Sequence, residues 1–193
     1  MTHRTLVLGG TRSGKSAYAE GLLPADQPVT YVATARSDPA DDEWTARIAT
    51  HVARRPSTWH TVEPAGPGAL AELLTAARAD DPPLLVDDLA TWLTGVLDDV
   101  FAWDGDPAAL AAANRHAADL VAATAVCAAR LVLVSAEVGL GVVPETRSGR
   151  LFRDGLGSLN ADLAATCDNV VLLVAGLPMR LKTFDEPPGE VGR

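Results

Sequence analysis

Residues 9–16 read Gly9-Gly10-Thr11-Arg12-Ser13-Gly14-Lys15-Ser16 and fit the pattern G-x-x-x-x-G-K-[ST]. Glycines at this spacing let the backbone curl until successive N–H groups face one centre, which suits the oxygens of a phosphate chain. Lys15, one of two lysines in the chain, has the reach to meet the outer phosphates, and the Ser16 hydroxyl is a hard oxygen donor for Mg²⁺. The chemistry implied is binding of a nucleoside triphosphate, ATP or GTP, with its metal. That metal needs an acid on its other side. Leu84-Leu85-Val86-Asp87-Asp88 is an apolar run ending in two carboxylates, and we assign Asp87 to the metal and Asp88 to the cap of the helix that follows. By residue type alone, an aspartate here also reads as a plain helix cap.

A second centre lies at His51. Trp44, Ile48 and Val52 recur every fourth residue, which places residues 42–54 on a helix. Arg47 before the histidine, and Arg54 and Arg55 after it, fall at the spacings that share its face. Their positive charge disfavours imidazolium and keeps the ring neutral and nucleophilic, and guanidiniums hold phosphate well. This suits a histidine that accepts a phosphoryl or nucleotidyl group. The same pattern also describes an exposed histidine on a charged helix, with Glu43 pairing Arg47, and spacing does not choose between the two. His3, His60 and His116 have no comparable setting.

Elements of a particular kind must carry these residues. Short apolar runs at 6–8, 29–33, 84–86, 131–134 and 170–174 lack polar alternation, as expected of strands covered on both faces. A further short strand is expected over 59–63. Helix-length segments at 15–23, 42–54, 68–78, 89–100, 108–129 and 148–165 alternate with them, and 101–107 reads as a surface loop. Such alternation predicts a doubly wound, mainly parallel α/β sheet flanked by helices, with its sites at the carboxyl ends of the strands. No internal repeat or domain-scale linker interrupts it, so residues 1–183 read as one domain and 184–193 as a frayed tail.

Composition narrows the function classes. The chain has 193 residues, 48% of them hydrophobic, enough for a full core and too many for a largely disordered chain. A formal net charge of -9 argues against wrapping a nucleic acid. Cys127 and Cys167 form no C-x-x-C pair, so neither a disulfide framework nor a structural zinc site is expected. No stretch approaches a membrane span, and a cytoplasmic protein is the expectation. The N-K-x-D tetrapeptide expected of a nucleotide-gated switch is absent from the sequence.

Taken together, the motifs resemble those of the bifunctional adenosylcobinamide kinase / adenosylcobinamide-phosphate guanylyltransferase family of cobalamin biosynthesis. The resemblance runs over residues 5–182. After the glycine loop come Tyr31-Val32-Ala33-Thr34-Ala35, then Asp41-Asp42-Glu43-Trp44 with Arg47-Ile48 and His51, and Arg55-Pro56 with Trp59. Leu85-Val86-Asp87 leads to Trp92-Leu93-Thr94, and Glu137-Val138-Gly139-Leu140-Gly141-Val142-Val143-Pro144-Glu145, Arg147, Phe152-Arg153-Asp154 and Leu159-Asn160 close the series. The resemblance implies a P-loop (RecA-like) fold, His51 as the residue that carries GMP, and Lys15 as the other catalytic residue. It implies nucleotide contacts at Gly9, Gly10, Thr11, Arg12, Ser13, Gly14, Lys15, Ser16, Ala33, Thr34, Ala35, Val52, Ala53, Arg54, Arg55, Glu63 and Asp87, with Mg²⁺ on Ser16 and Asp87. Its substrates would be GTP or ATP and a corrinoid, adenosylcobinamide, and its assembly a homotrimer. The chain has Ala136 and Thr146 where the family usually has asparagine, and Ala161 where it often has glutamine. Asp88 and Ala90 stand where cysteine and threonine are common.

Overall fold

Strands with no polar alternation need a layer on each side, and that requirement organises the fold. A computed structural model describes residues 3–36, 46, 52 and 55–184. Most of the expected helix over 42–54, His51 with it, and the tail beyond Phe184 lie outside the described residues.

Seven strands form one sheet: β1 (Arg4–Gly9), β2 (Thr30–Ala33), β3 (His60–Val62), β4 (Leu84–Asp87), β5 (Leu131–Ala136), β6 (Asn169–Val174) and β7 (Leu177–Lys182). Their order across the sheet is β3-β2-β4-β5-β1-β6-β7. The first six are parallel, and β7 returns antiparallel on β6. The five α-helices among the described residues are α1 (Lys15–Gly21), α2 (Ala69–Ala76), α3 (Leu89–Asp99), α4 (Pro107–Val126) and α5 (Arg147–Thr166).

Side chains alternate across the sheet and build two cores. Leu6, Leu8, Val86, Leu131 and Leu133 join α2, α3, α4 and α5 in the larger one. Val7, Tyr31, Leu85, Val132 and Val134 face the other way, toward Ala19 and Leu23 of the α1 segment and Trp59. Burial on both faces explains the unbroken apolar runs.

Two expectations need revision. The stretch 101–107, expected as a surface loop, contains a 3₁₀ turn at Ala102–Asp104 that inserts the fully buried Ala102 into the larger core. Strand β7 was not foreseen. Ala175 and Gly176, at φ 51 and 80, make the tight two-residue turn that folds it back on β6.

Candidate active site

The phosphate-binding pattern occupies the turn between β1 and α1, where a parallel sheet places its sites. Gly14 sits at φ 89, a backbone conformation that disfavours a side chain. Gly9 answers to space: a Cβ there would lie 2.3 Å from Ser13 Oγ and 3.1 Å from the Leu173 carbonyl oxygen. The loop is held at both ends by backbone, since Glu137 N–H donates to the Gly9 carbonyl at 3.1 Å and Gly176 N–H to that of Ser13 at 3.1 Å. The Ser13 hydroxyl is buried beneath the loop without a hydrogen-bond partner. Lys15 and Ser16 open α1, both partly exposed.

Asp87 ends β4, which is not a sheet neighbour of β1, because β5 lies between them. The first turn of α1 closes that gap: Ser16 Oγ–H donates to Asp87 Oδ1 at 3.2 Å. The other carboxylate oxygen, Oδ2, accepts from the Tyr31 phenol at 2.6 Å. Burial, and then the Asp87 carboxylate, push the Tyr31 phenol well above its ordinary pKa. Its ring contacts Trp59 and carries the Arg55 guanidinium 3.6 Å above its centre. Arg55 also donates to Thr61 Oγ1 at 3.0 Å.

Asp88 has the other role that type alone allowed. Its Oδ1 accepts from the Thr91 backbone N–H at 2.9 Å and so caps α3. Thr34 Oγ1–H donates to the Asp88 carbonyl oxygen at 2.6 Å, which ties the end of β2 to this cap. The Thr34 N–H also donates to the Asp87 carbonyl oxygen at 3.4 Å, so Ser16 and Thr34 both meet Asp87 directly. Ala33 lies opposite Asp87 in the β2–β4 register, and Glu63 follows the end of β3, exposed on the same carboxyl edge. Val52 is exposed, whereas His51, Ala53 and Arg54 lie outside the described residues. Beyond Thr34 a cleft opens between Arg36, Pro64, Pro67 and Trp92, and its Arg36 is fixed by two hydrogen bonds to Asp99 at 2.6 and 2.8 Å.

A hydroxyl and a carboxylate oxygen set side by side beneath a glycine loop are the hard donors that Mg²⁺ takes with a nucleotide's phosphates, so these residues fit that ion. Among the described residues no cluster of three or more His, Cys, Asp or Glu forms a site built from protein ligands alone. Both cysteines are buried and free. Of the departures from the family pattern, Thr146 keeps a function open to asparagine: its Oγ1 accepts from the Gly149 N–H at 3.1 Å and caps α5. The Ala136 carbonyl accepts from Asn160 Nδ2 at 3.0 Å, and Ala161 is exposed. The sequence alone assigns no contact to Tyr31, whose partner Asp87 lies 56 residues away, or to Thr91, whose hydroxyl meets that of Thr34 at 2.6 Å.

Comparison with known proteins finds relatives along nearly the whole chain. The family model for cobinamide kinase / cobinamide phosphate guanyltransferase matches residues 5–181. The bifunctional adenosylcobalamin biosynthesis protein CobU of Escherichia coli (strain K12) is 41% identical over 183 residues, covering 92% of this chain and 98% of that protein. Its counterpart CobP from Pseudomonas aeruginosa is 42% identical over 182 residues, covering 93% and 97%. Among solved structures, a type III secretion system ATPase of pathogenic bacteria is similar at TM-score 0.52 and 10% identity. That likeness covers 89% of this chain and 51% of the ATPase, and it speaks to the fold alone. No helix among the described residues is long and apolar enough to cross a membrane.

Proposed function

The chain belongs to the cobinamide kinase / cobinamide phosphate guanyltransferase family, and on that premise we propose that one nucleotide site serves two successive group transfers. In the first, the γ-phosphoryl group of ATP or GTP passes to the aminopropanol hydroxyl of adenosylcobinamide, and the nucleoside diphosphate leaves. In the second, a ring nitrogen of His51 attacks the α-phosphorus of GTP and expels pyrophosphate. The phosphate of adenosylcobinamide phosphate then attacks the histidine-bound GMP, forming adenosylcobinamide-GDP and freeing the ring.

The observation that carries this reading is the Ser16–Asp87 pair at the foot of the glycine loop. The backbone N–H groups of residues 9–16 orient the triphosphate, and Lys15 neutralises charge gathering on its outer oxygens. Ser16 and Asp87 would hold Mg²⁺, which when bound supplies further neutralisation of that charge. His51 acts at the α-phosphorus, two positions inward from the one the kinase step uses. Contacts from Ala33, Thr34, Ala35, Val52, Ala53, Arg54, Arg55 and Glu63 complete the nucleotide site. We place the enzyme in the cytoplasm as a homotrimer; the exposed apolar residues Leu177, Met179 and Leu181 on edge strand β7 support an assembled form.

Labelling with α-³²P GTP tests the second transfer. We expect one GMP per chain, stable to alkali and labile to acid as a phosphoramidate is, and lost in His51→Ala. Nucleotide binding without retained label would reduce the protein to a kinase.

A further inference from the structure

We propose that Tyr31 is a positioning residue for the metal-side acid: its phenol fixes Asp87 so that Oδ1 is presented to Ser16, and thereby sets how strongly the site takes Mg²⁺ together with nucleotide. The proposal rests on reading residues 9–16 and Asp87 as a metal–nucleotide site.

A carboxylate on a single side-chain torsion pair can rotate, and a metal-side acid that rotates must be reoriented each time the metal arrives. Tyr31 removes that freedom. Its O–H lies 2.6 Å from Asp87 Oδ2, the short distance of a charge-assisted bond, while Ser16 Oγ stands 3.2 Å from Oδ1. The donor itself is held in place. Tyr31 is 1% exposed, sits in the smaller core beside Trp59, and lies beneath the Arg55 guanidinium at 3.6 Å. Backbone pairing adds a second constraint, since Tyr31 on β2 is in register with Leu85 on β4, two residues before Asp87. The phenol and the carboxylate are thus carried by adjacent strands of one rigid sheet. Arg55 follows the His51 segment in sequence, so the same ring meets both the metal-side acid and the end of that segment.

Tyr31→Phe removes the donor and keeps the ring that Arg55 and Trp59 touch. Titration calorimetry with GTP, once with Mg²⁺ and once in EDTA, separates positioning from general damage. We expect metal-free affinity within about twofold of wild type and the gain on adding Mg²⁺ to shrink about tenfold, the scale of one hydrogen bond to a charged group. An unchanged gain would overturn the proposal. In an Asp87→Asn background Tyr31→Phe should change the Mg²⁺ gain no further, and an additional loss there would also overturn it. Wild-type protein that does not bind GTP would instead overturn the underlying reading of the site. Should Tyr31→Phe fail to fold, wild-type chain carrying 3-fluorotyrosine at Tyr18 and Tyr31 answers the question. Its Tyr31 fluorine resonance should move when Mg²⁺ joins bound GTP, and a stationary resonance counts against the proposal.

Discussion

The Gly176 N–H donates to the Ser13 carbonyl oxygen at 3.1 Å, so the turn joining the last two strands seats on the phosphate loop opened by the first. Gly14 meets the same turn, with a Cβ built on it lying 3.8 Å from Gly176 Cα. Together with the Glu137–Gly9 bond this fixes the loop from both flanks. A receptor made of backbone N–H groups works best when no ordering is left for the ligand to impose. Strand β7 therefore has a task beyond closing the sheet edge.

Two substitutions at Gly176 test whether the turn organises the loop. Alanine at φ 80 costs about 1 kcal/mol but keeps the N–H, so melting should fall by a few degrees with GTP affinity held within about twofold. Gly176→Pro, whose ring cannot adopt φ 80, removes the donor and the turn together and should weaken GTP binding at least tenfold. Calorimetry on both variants checks this, and equal GTP affinities would show that the bond to Ser13 does not organise the loop.

Lys15→Ala should lower phosphoryl transfer to cobinamide by about a thousandfold, because a cation aimed at the transferring group acts mainly in the transition state. Melting should change little, since Lys15 stands at the start of α1 outside both cores. Lys15→Arg should not restore the rate, as a planar guanidinium is no substitute for a compact ammonium on a flexible stem. Transfer of γ-³²P to the corrinoid reads the effect. A rate within tenfold of wild type for Lys15→Ala would refute the assignment.

What the chain disclosed locally and what it withheld divide along physical lines. The place of the glycine loop between β1 and α1 and the Asp88 cap were legible because each depends on a few adjacent residues and the strand or helix beside them. Strand β7 was missed because Leu177, Met179 and Leu181 alternate with Pro178, Arg180 and Lys182, unlike the unbroken runs of the buried strands, although Ala175-Gly176 is a fair hairpin signal. The insertion of β5 between β1 and β4 has no local signature, since parallel strands are joined by crossovers and their order is settled by packing. The Tyr31–Asp87 bond spans 56 residues. Nothing near either residue in sequence announces it.

Neighbouring aspartates should fail in opposite ways. Asp88 Oδ1 accepts from both the N–H and the hydroxyl of Thr91, at 2.9 and 3.0 Å. Asp88→Ala should therefore cost about 1 kcal/mol of stability and lower melting by about 2–4 °C, with Mg²⁺-dependent GTP binding nearly intact. Asp87→Ala should reduce that binding at least tenfold. Scanning calorimetry and GTP titration on the same two proteins settle the division, and an exchange of the two phenotypes would reverse the assignment.

Alkaline pH offers a test of the core beneath β6. Burial first, and then the Asp168 carboxylate, push the Cys167 thiol from an ordinary value near 9 up to about 12, against the opposing charges of Lys182 and Arg4. The sign follows from proton counts: between those two values the folded chain keeps a proton that the unfolded chain has released. Stability from this group is thus whole below about pH 9 and is lost as pH rises toward 12, by up to about 1.4 kcal/mol per pH unit. The Cys127 thiol and the Tyr31 phenol shift the same way, so the slope should not vanish when one group is removed. Urea unfolding of wild type and Cys167→Ala from pH 7 to pH 11 should start with the variant less stable, for its lost packing. The two curves should converge above pH 9, and parallel curves would show that Cys167 ionises no harder in the fold than in the open chain.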